Sequence, residues 1–541
     1  MAALAGLAAC SGDTAVTTPI ERAQKALAEG DGYAAELILE SVRQDAAYPR
    51  QRLAAYMGEA ELLQGHLAAA REWLGPAEFD DASRAHGYHM LGRLEFLSGN
   101  LPGSGLAYDK AFGLGGAHAD LWVDVGRLRY VGGEQYAAIE AAEEALASEP
   151  GNSRALLFKA QLVRDAQGND AALPWFEAAS SADPDSEEVA LEYAAGLGDS
   201  FRTKRMLEVL RSNEVKGASE GKGLFLQAVL AARAGQAQLA RNLLERVEGP
   251  SKEHASARLL GALIDLDLES YESATATLEG LWEEQPHNRL VAELFARSLS
   301  LSGNDRELVE RFDERAKRPS ASPYLRLLVG RSYEALGERK QAAWFLDNAA
   351  KPRETAIVVV QPSGGGDSGW PEQIRSHLVR GNRAAALRLA DGMAEKFSGS
   401  ADTLAMAGDV HAASDDLQGA IEYYEKAAVV RRPWAMAKKM VAIYQATGRE
   451  RDAEIILASH VRSDPMNAEA LYLLAKTLAD RGEAQRAGAL LDGAMRSGAM
   501  TDTSVIGLRA RIARDKGDDA LANTLDQMAL RMRPMAFAGR R

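Results

Sequence analysis

Along this chain, small and apolar residues return at fixed intervals. A glycine-polar turn is followed about five residues later by an alanine. An aromatic or leucine comes one helical turn on, then another small residue and, in several units, a closing proline. Gly133, Ala138, Ala142, Ala145 and Pro150 make one such unit, and Ala172, Phe176, Ala179 and Pro184 repeat it 34 residues later. The register extends through Ala70, Ser104, Met206, Ala240, Ala274, Leu308 and Ala342 at the same period, with Ala35 preceding it. After an interruption it resumes with Ala386, Ala420, Ala453, Ala487 and Leu521, giving fifteen units, eleven of them with alanine at this position. Self-similarity at a period of this length is the signature of a stacked repeat.

Two further columns keep the same register. Twelve residues before the anchor lie Ala23, Gly58, Gly92, Gly126, Ala160, Ala194, Ala228, Ala262, Ala296, Gly330, Gly408 and Ala475, with Ile374, Val441 and Arg509 departing. Four residues after it lie large residues such as Leu74, Tyr108, Phe176, Phe312, Leu346 and Tyr424. Two antiparallel helices approach closely only where both carry very small side chains, and a large residue one turn later fills the space beside that crossing. Proline at the end of a unit, as at Pro150, Pro184, Pro286 and Pro465, stops the second helix. The pattern predicts an all-α array of helix pairs. No single pair can bury its apolar face alone, so neighbours must stack.

The interruption lies between Ala350 and Trp370, where the anchor spacing grows to 44. It holds a β-branched run, Ile357 to Val360, and then Gly364-Gly365-Gly366-Asp367-Ser368-Gly369, the composition of a flexible connector. The organisation expected is a signal and tether over 1–15, an array of about ten units over 16–350, the Gly-rich insert 351–370, a second array of about five units over 371–534, and a basic tail 535–541.

Composition narrows the function classes. A net charge of −14 disfavours a phosphate backbone as ligand, so no nucleic-acid partner is expected. The single cysteine, Cys10, excludes a disulfide framework and a Cys-based zinc site. No apolar run is long enough to span a bilayer. Leu7-Ala8-Ala9-Cys10 resembles the bacterial lipobox, and a polar tether, Asp13 to Pro19, follows it. The basic leader and longer apolar core of a secretory signal do not fit ahead of Cys10, so the lipobox reading places the true start upstream.

The units resemble tetratricopeptide repeats. Trp122, Gly126, Ala138, Ala145 and Pro150 match that consensus within one unit, and the resemblance runs from about residue 16 to 534. It implies a right-handed superhelical solenoid of about fifteen helix pairs, interrupted by one linker. In such arrays the first helix of each unit lines the concave groove, and the residue after the small column points into it. That position holds Arg93, Arg127, Arg297, Arg331, Arg375 and Lys476, against acidic Glu59 and Asp409. A basic stripe in an acidic protein suits carboxylates, from an acidic peptide or an anionic polysaccharide. His86, His89, Phe225 and Tyr472 occupy other groove positions.

Catalytic chemistry finds little footing. Gly366-Asp367-Ser368-Gly369 resembles the nucleophile loop of trypsin-like proteases, but nothing supplies the histidine base and buried aspartate on a β-barrel. The glycine cluster lacks the Gly-Lys-Ser/Thr ending of a phosphate loop. His86 and His89 are spaced for one helix face, without a third metal ligand nearby. No cofactor is expected, and the chain reads as a non-enzymatic scaffold. Its architecture resembles the tetratricopeptide lipoproteins of exopolysaccharide export and exosortase (PEP-CTERM) systems. That implies a lipid anchor on the periplasmic side of a bacterial membrane, or a soluble periplasmic or cytoplasmic protein if the anchor is absent. The alternatives are an assembly factor for outer-membrane proteins and an activator of peptidoglycan synthesis.

Overall fold

The structure is a computed structural model, and it describes residues 18–115, 118–211, 221–318, 321–349, 369–497, 499 and 502–531. Among the described residues there are thirty-one helices and no strand. Thirty of them form fifteen consecutive pairs, one for each unit of the repeat, and the remaining one is the short helix Pro250–Glu253. The sequence register therefore reads through the whole array. Ala35 lies on the second helix of the first pair, Gly32–Glu40, and Leu521 on the second helix of the last, Asp519–Arg531.

The crossings follow the spacing argument. A methyl group added at Gly92 would stand 2.2 Å from the ring of Tyr108, and one at Gly58 would stand 2.3 Å from Leu74. Gly330 and Gly408 meet Leu346 and Tyr424 in the same way, each at 2.7 Å. The large residue thus rests directly on the small one, sixteen residues earlier in the chain. Fourteen of the fifteen anchor residues are buried; Leu521, in the last pair, is only half-buried. Where serine replaces alanine, the buried Ser104 hydroxyl donates to the Gly92 carbonyl at 2.9 Å, so the crossing stays close without an unpaired polar group.

Between the helices of a pair the chain reverses through a residue in the left-handed region, seven positions after the small column. Gly99 (φ 78°) and Gly133 (φ 87°) are examples. Phe201, Glu269 and Asp415 hold the same place at φ 57°, 60° and 66°, where a side chain costs energy. Side-chain oxygens cap several helix starts, as Ser186 does for Val189 and Asn288 for Val291.

The chain divides into two compact units, residues 1–155 and 156–541. Within each, the second helix of most pairs packs on the first helix of the next, and some first helices of successive pairs also meet. Arg50–Leu63 touches Arg84–Leu97, which touches Ala119–Val131; in the second unit Gly221–Arg233 touches Ala255–Asp267, and Arg289–Leu301 touches Pro323–Ala335. Where successive first helices meet in this way, they lie side by side as a layer within their unit. The insert expected at 351–370 falls in the second unit, and its residues 351–368 lie outside the described residues, as do Cys10 and the tail 535–541. No described helix is long and apolar enough to cross a membrane.

Candidate ligand-binding groove

The open side of the first-helix layer is the candidate site. Each first helix turns its small column toward its partner helix, so the next residue points away from that crossing. Arg93, Arg127, Arg331 and Arg375 are half-buried there, and Arg297 and Lys476 are exposed. The stripe is thus accessible in both units, but its members sit in different company.

In the first unit the layer carries a polar network centred on Asp124, on helix Ala119–Val131. Asp124 is 6% exposed and accepts from His89 Nε2 at 2.7 Å and from Arg154 at 2.7 Å, with Arg93 Nε at 3.5 Å. Burial alone would raise its pKa. Arg154, the His89 hydrogen bond and Arg93 outweigh that and hold the carboxyl well below the usual range. His89 is only 2% exposed, so it does not project into the groove as its register position suggests. The reason is Asp124, which draws the ring inward. His89 Nδ1 finds no hydrogen-bond partner among the described residues, and the ring of His118 lies across it with centroids 5.1 Å apart. Burial, then the neighbouring His89, lowers the pKa of His118. His86 faces elsewhere, donating to Glu59 at 2.7 Å and stacking on Tyr56. Burial opposes ionisation of Glu59, but that bond and the charges of His86 and Arg93 keep its pKa low.

The two spaced histidines therefore serve different carboxylates and do not converge. No group of three or more potential ligands placed to hold a metal occurs among the described residues. Residues 366–368 of the Gly-Asp-Ser-Gly segment lie outside them.

In the second unit, Arg331 pairs with Glu334 of its own helix at 2.6 Å and Lys476 with Asp480 at 3.5 Å. Asp409 accepts from Lys439 at 2.5 Å and from the Tyr424 hydroxyl. Tyr472 is half-buried. Arg297 stands apart. It is exposed, makes no hydrogen bond or ion pair among the described residues, and is near enough to Tyr324 to act on its hydroxyl together with Glu293. The basic stripe is thus partly neutralised along its length and openly cationic at Arg297.

Two features escape a reading by columns. One is the Asp124 network; its signal was an acid at a position held by Tyr56, Met90 and Phe158 in neighbouring units. The other is a pair of exposed leucines on first helices of the second unit, Leu263 and Leu290, which are 37% and 54% exposed.

Known proteins add a general likeness. No protein-family profile matches the chain, and no curated protein sequence matches it. Among solved structures, the human IFIT1 dimer with PPP-AAAA is 15% identical, covers 74% of this chain and 94% of its own, and superposes with a TM-score of 0.37. The APC/C hetero-tetramer Cut9-Hcn1 is 14% identical, with 91% of this chain and 89% of its own covered and a TM-score of 0.27. At these scores the matches carry no argument about this chain; its helical-repeat build is shown by its own helix pairs.

Proposed function

We propose that this protein is a non-enzymatic binding scaffold whose first-helix groove holds an acidic segment of a partner. The observation that carries this reading is Arg297, an exposed guanidinium on the groove side that makes no hydrogen bond or ion pair among the described residues. Arg331 follows it one repeat later, at the equivalent place on the next first helix. Charge-assisted hydrogen bonds from arginine to carboxylate are among the stronger polar contacts, and the flat guanidinium suits bidentate binding. The net charge of −14 places this cationic patch on an otherwise acidic surface, so it selects locally and does not attract polyanions at large. Nucleic acid is therefore not the ligand in this reading, and an anionic polysaccharide is the alternative source of carboxylates.

Arg297→Glu combined with Arg331→Glu tests the groove. Binding of a fluorescent peptide rich in aspartate should fall at least about tenfold, with an unchanged helical circular dichroism spectrum. Rising salt should weaken wild-type binding. Equal binding by variant and wild type would reduce the stripe to a solvated face.

The setting proposed is the periplasmic side of a bacterial membrane, in an envelope or exopolysaccharide assembly and export system, with the chain anchored through acylated Cys10. Support for it comes from Leu7-Ala8-Ala9-Cys10 and the tether behind it. Each buried methylene of an acyl chain contributes about 0.8 kcal/mol, so more than one chain would hold the protein firmly. Cys10→Ala in the full gene product should move it from the membrane fraction to the soluble periplasm. A native protein that is soluble and carries no lipid mass would overturn this placement.

A further inference from the structure

One edge of the first unit is apolar and the other acidic. Leu63, Leu97 and Val131 end three successive first helices, each two residues ahead of the left-handed glycine of its turn, Gly65, Gly99 or Gly133. All three are exposed, Leu97 by 55% and Val131 by 60%. Leu62, Phe96 and Tyr130, the residues before them, are half-buried. Tyr33, near the start of the first pair's second helix, adds a ring at the same edge that is 62% exposed. The turns 64–66, 98–100 and 132–134 hold one acid, Glu134. Pro19–Ala28, Arg50–Leu63, Arg84–Leu97 and Ala119–Val131 meet in succession, so the ends of these first helices fall along one line.

At the opposite edge, where the chain passes from one pair to the next, Asp45, Asp81 and Glu149 are exposed. The repeat itself does not require the apolar edge. In the four pairs that follow, the equivalent places hold Arg164-Asp165, Gly198-Asp199, Ala232-Arg233 and Leu266-Asp267. Exposed Leu301 and Val379 occupy that place again only later in the chain. Three neighbouring pairs therefore keep aliphatic side chains in water where the fold accepts charge, and a run of that kind marks a contact surface.

We infer that this edge of the first unit rests on a lipid surface, with Leu63, Leu97 and Val131 sunk into the headgroup boundary and Tyr33 beside them. The inference rests on the membrane placement proposed above and gives the first unit an orientation there. Eight residue steps lead from Cys10 to Thr18, and at about 3.3 Å per residue an extended tether reaches roughly 26 Å. Helix Pro19–Ala28 rises about 15 Å over its ten residues. The tether is thus long enough to return along that helix and set an acylated Cys10 level with the edge where the helix ends. Aliphatic side chains on helices roughly 10 Å apart enter a fluid surface one by one, whereas a folded partner would have to match the whole line. Tyrosine, apolar in its ring and polar at its hydroxyl, suits the headgroup level. The acidic edge then faces away from the lipid.

Cys10→Ser in the full chain removes both the acylation site and the one cysteine, which frees the edge for a single label. In that background Leu97→Cys carrying an environment-sensitive fluorophore should brighten and shift to the blue with phosphatidylcholine vesicles, and a shallow lipid-borne quencher should dim it. The same label at Asp81→Cys, on the opposite edge, should report water throughout. Flotation of the Cys10→Ser chain with vesicles should fall about tenfold or more when Leu63→Asp, Leu97→Asp and Val131→Asp are combined, with unchanged circular dichroism. Rising salt should leave flotation as it is, unlike binding at the arginine stripe. A label at position 97 that stays in water at millimolar lipid, or a triple variant that floats like its parent, overturns the inference; acylation of Cys10, read from the mass of the native protein, stands or falls separately. If the edge binds vesicles and the native protein carries no acyl chain, the edge stands and the anchor falls. A blue shift that grows with protein concentration in the absence of lipid would make a second copy the occupant and overturn the inference.

Discussion

At Gly92 a single added methyl group would have to displace the ring of Tyr108, a side chain that is itself 2% exposed and has no free space to enter. Gly92→Ala should therefore cost roughly 1–3 kcal/mol through overpacking, as should Ala138→Leu at the anchor column. A chemical denaturation midpoint that stays at the wild-type value in either variant would contradict the crossing geometry. Titration is the second effect at this scale. Asp124, Glu59 and Glu192 have pKa values held below their usual ones, so each stabilises the fold above the unfolded value, near 4, and loses that as pH falls. His118 has a lowered pKa too, which for a base means that the folded state prefers the neutral ring. Its contribution is full above the ordinary imidazole value of 6.5 and declines as pH falls below it. The melting temperature should thus begin to drop below about pH 6.5, and drop again below about pH 4.5. His118→Gln should remove the upper step and leave the lower one. The small columns were open to a sequence reading because each residue there is fixed by one contact within its own pair. The inward turn of His89 was not, because its cause, Asp124, lies 35 residues away.

Among the helices, a rule emerges that links one pair to the next. Asp124 meets Arg154 at 2.7 Å and Glu192 meets Lys222 at 2.5 Å, each base thirty residues after its acid and on the following first helix. Both acids stand where other units have Met90, Phe158, Leu260 or Leu294, so a charge in an apolar column signals a bridge between pairs. Removing Arg154 takes one charge-assisted bond from a buried carboxylate that His89 and Arg93 still hold. Arg154→Ala should accordingly destabilise the first unit by roughly 1–3 kcal/mol, whereas replacing exposed Lys476 should cost well under 1 kcal/mol. The turns offer the opposite case. Glu269 adopts φ 60° where Gly99 and Gly133 stand in other pairs. Glu269→Gly should relieve that strain and raise stability by up to about 1 kcal/mol, the added freedom of the unfolded chain offsetting part of the gain. Thermal melting of the two proteins side by side checks it. Helix number and pairing were legible because crossings, turns and closing prolines all repeat. The exposed leucines were not, since Leu263 and Leu290 sit in columns that hold arginine and other residues elsewhere.

For the molecule as a whole, contacts run chiefly between consecutive helices, and the two units are each built from the same joint used many times over. The repeat made the array legible from end to end in sequence, while the ligand stayed hidden, because the fold constrains the crossing side and leaves the groove side free to vary. Spreading stability over many like joints also predicts graded unfolding. Hydrogen exchange should show amide protection that varies from pair to pair and no single global opening. The stacked crossings have a mechanical consequence as well. Joints in series behave like springs in series, whose compliances add. A rotation too small to disturb the contact of Gly92 with Tyr108, repeated at each crossing, sums to a large change in the pitch of a groove spanning several pairs. On the binding reading proposed above, such an array tightens around a partner without a hinge, and a bound segment acts as a splint that stiffens the springs beneath it.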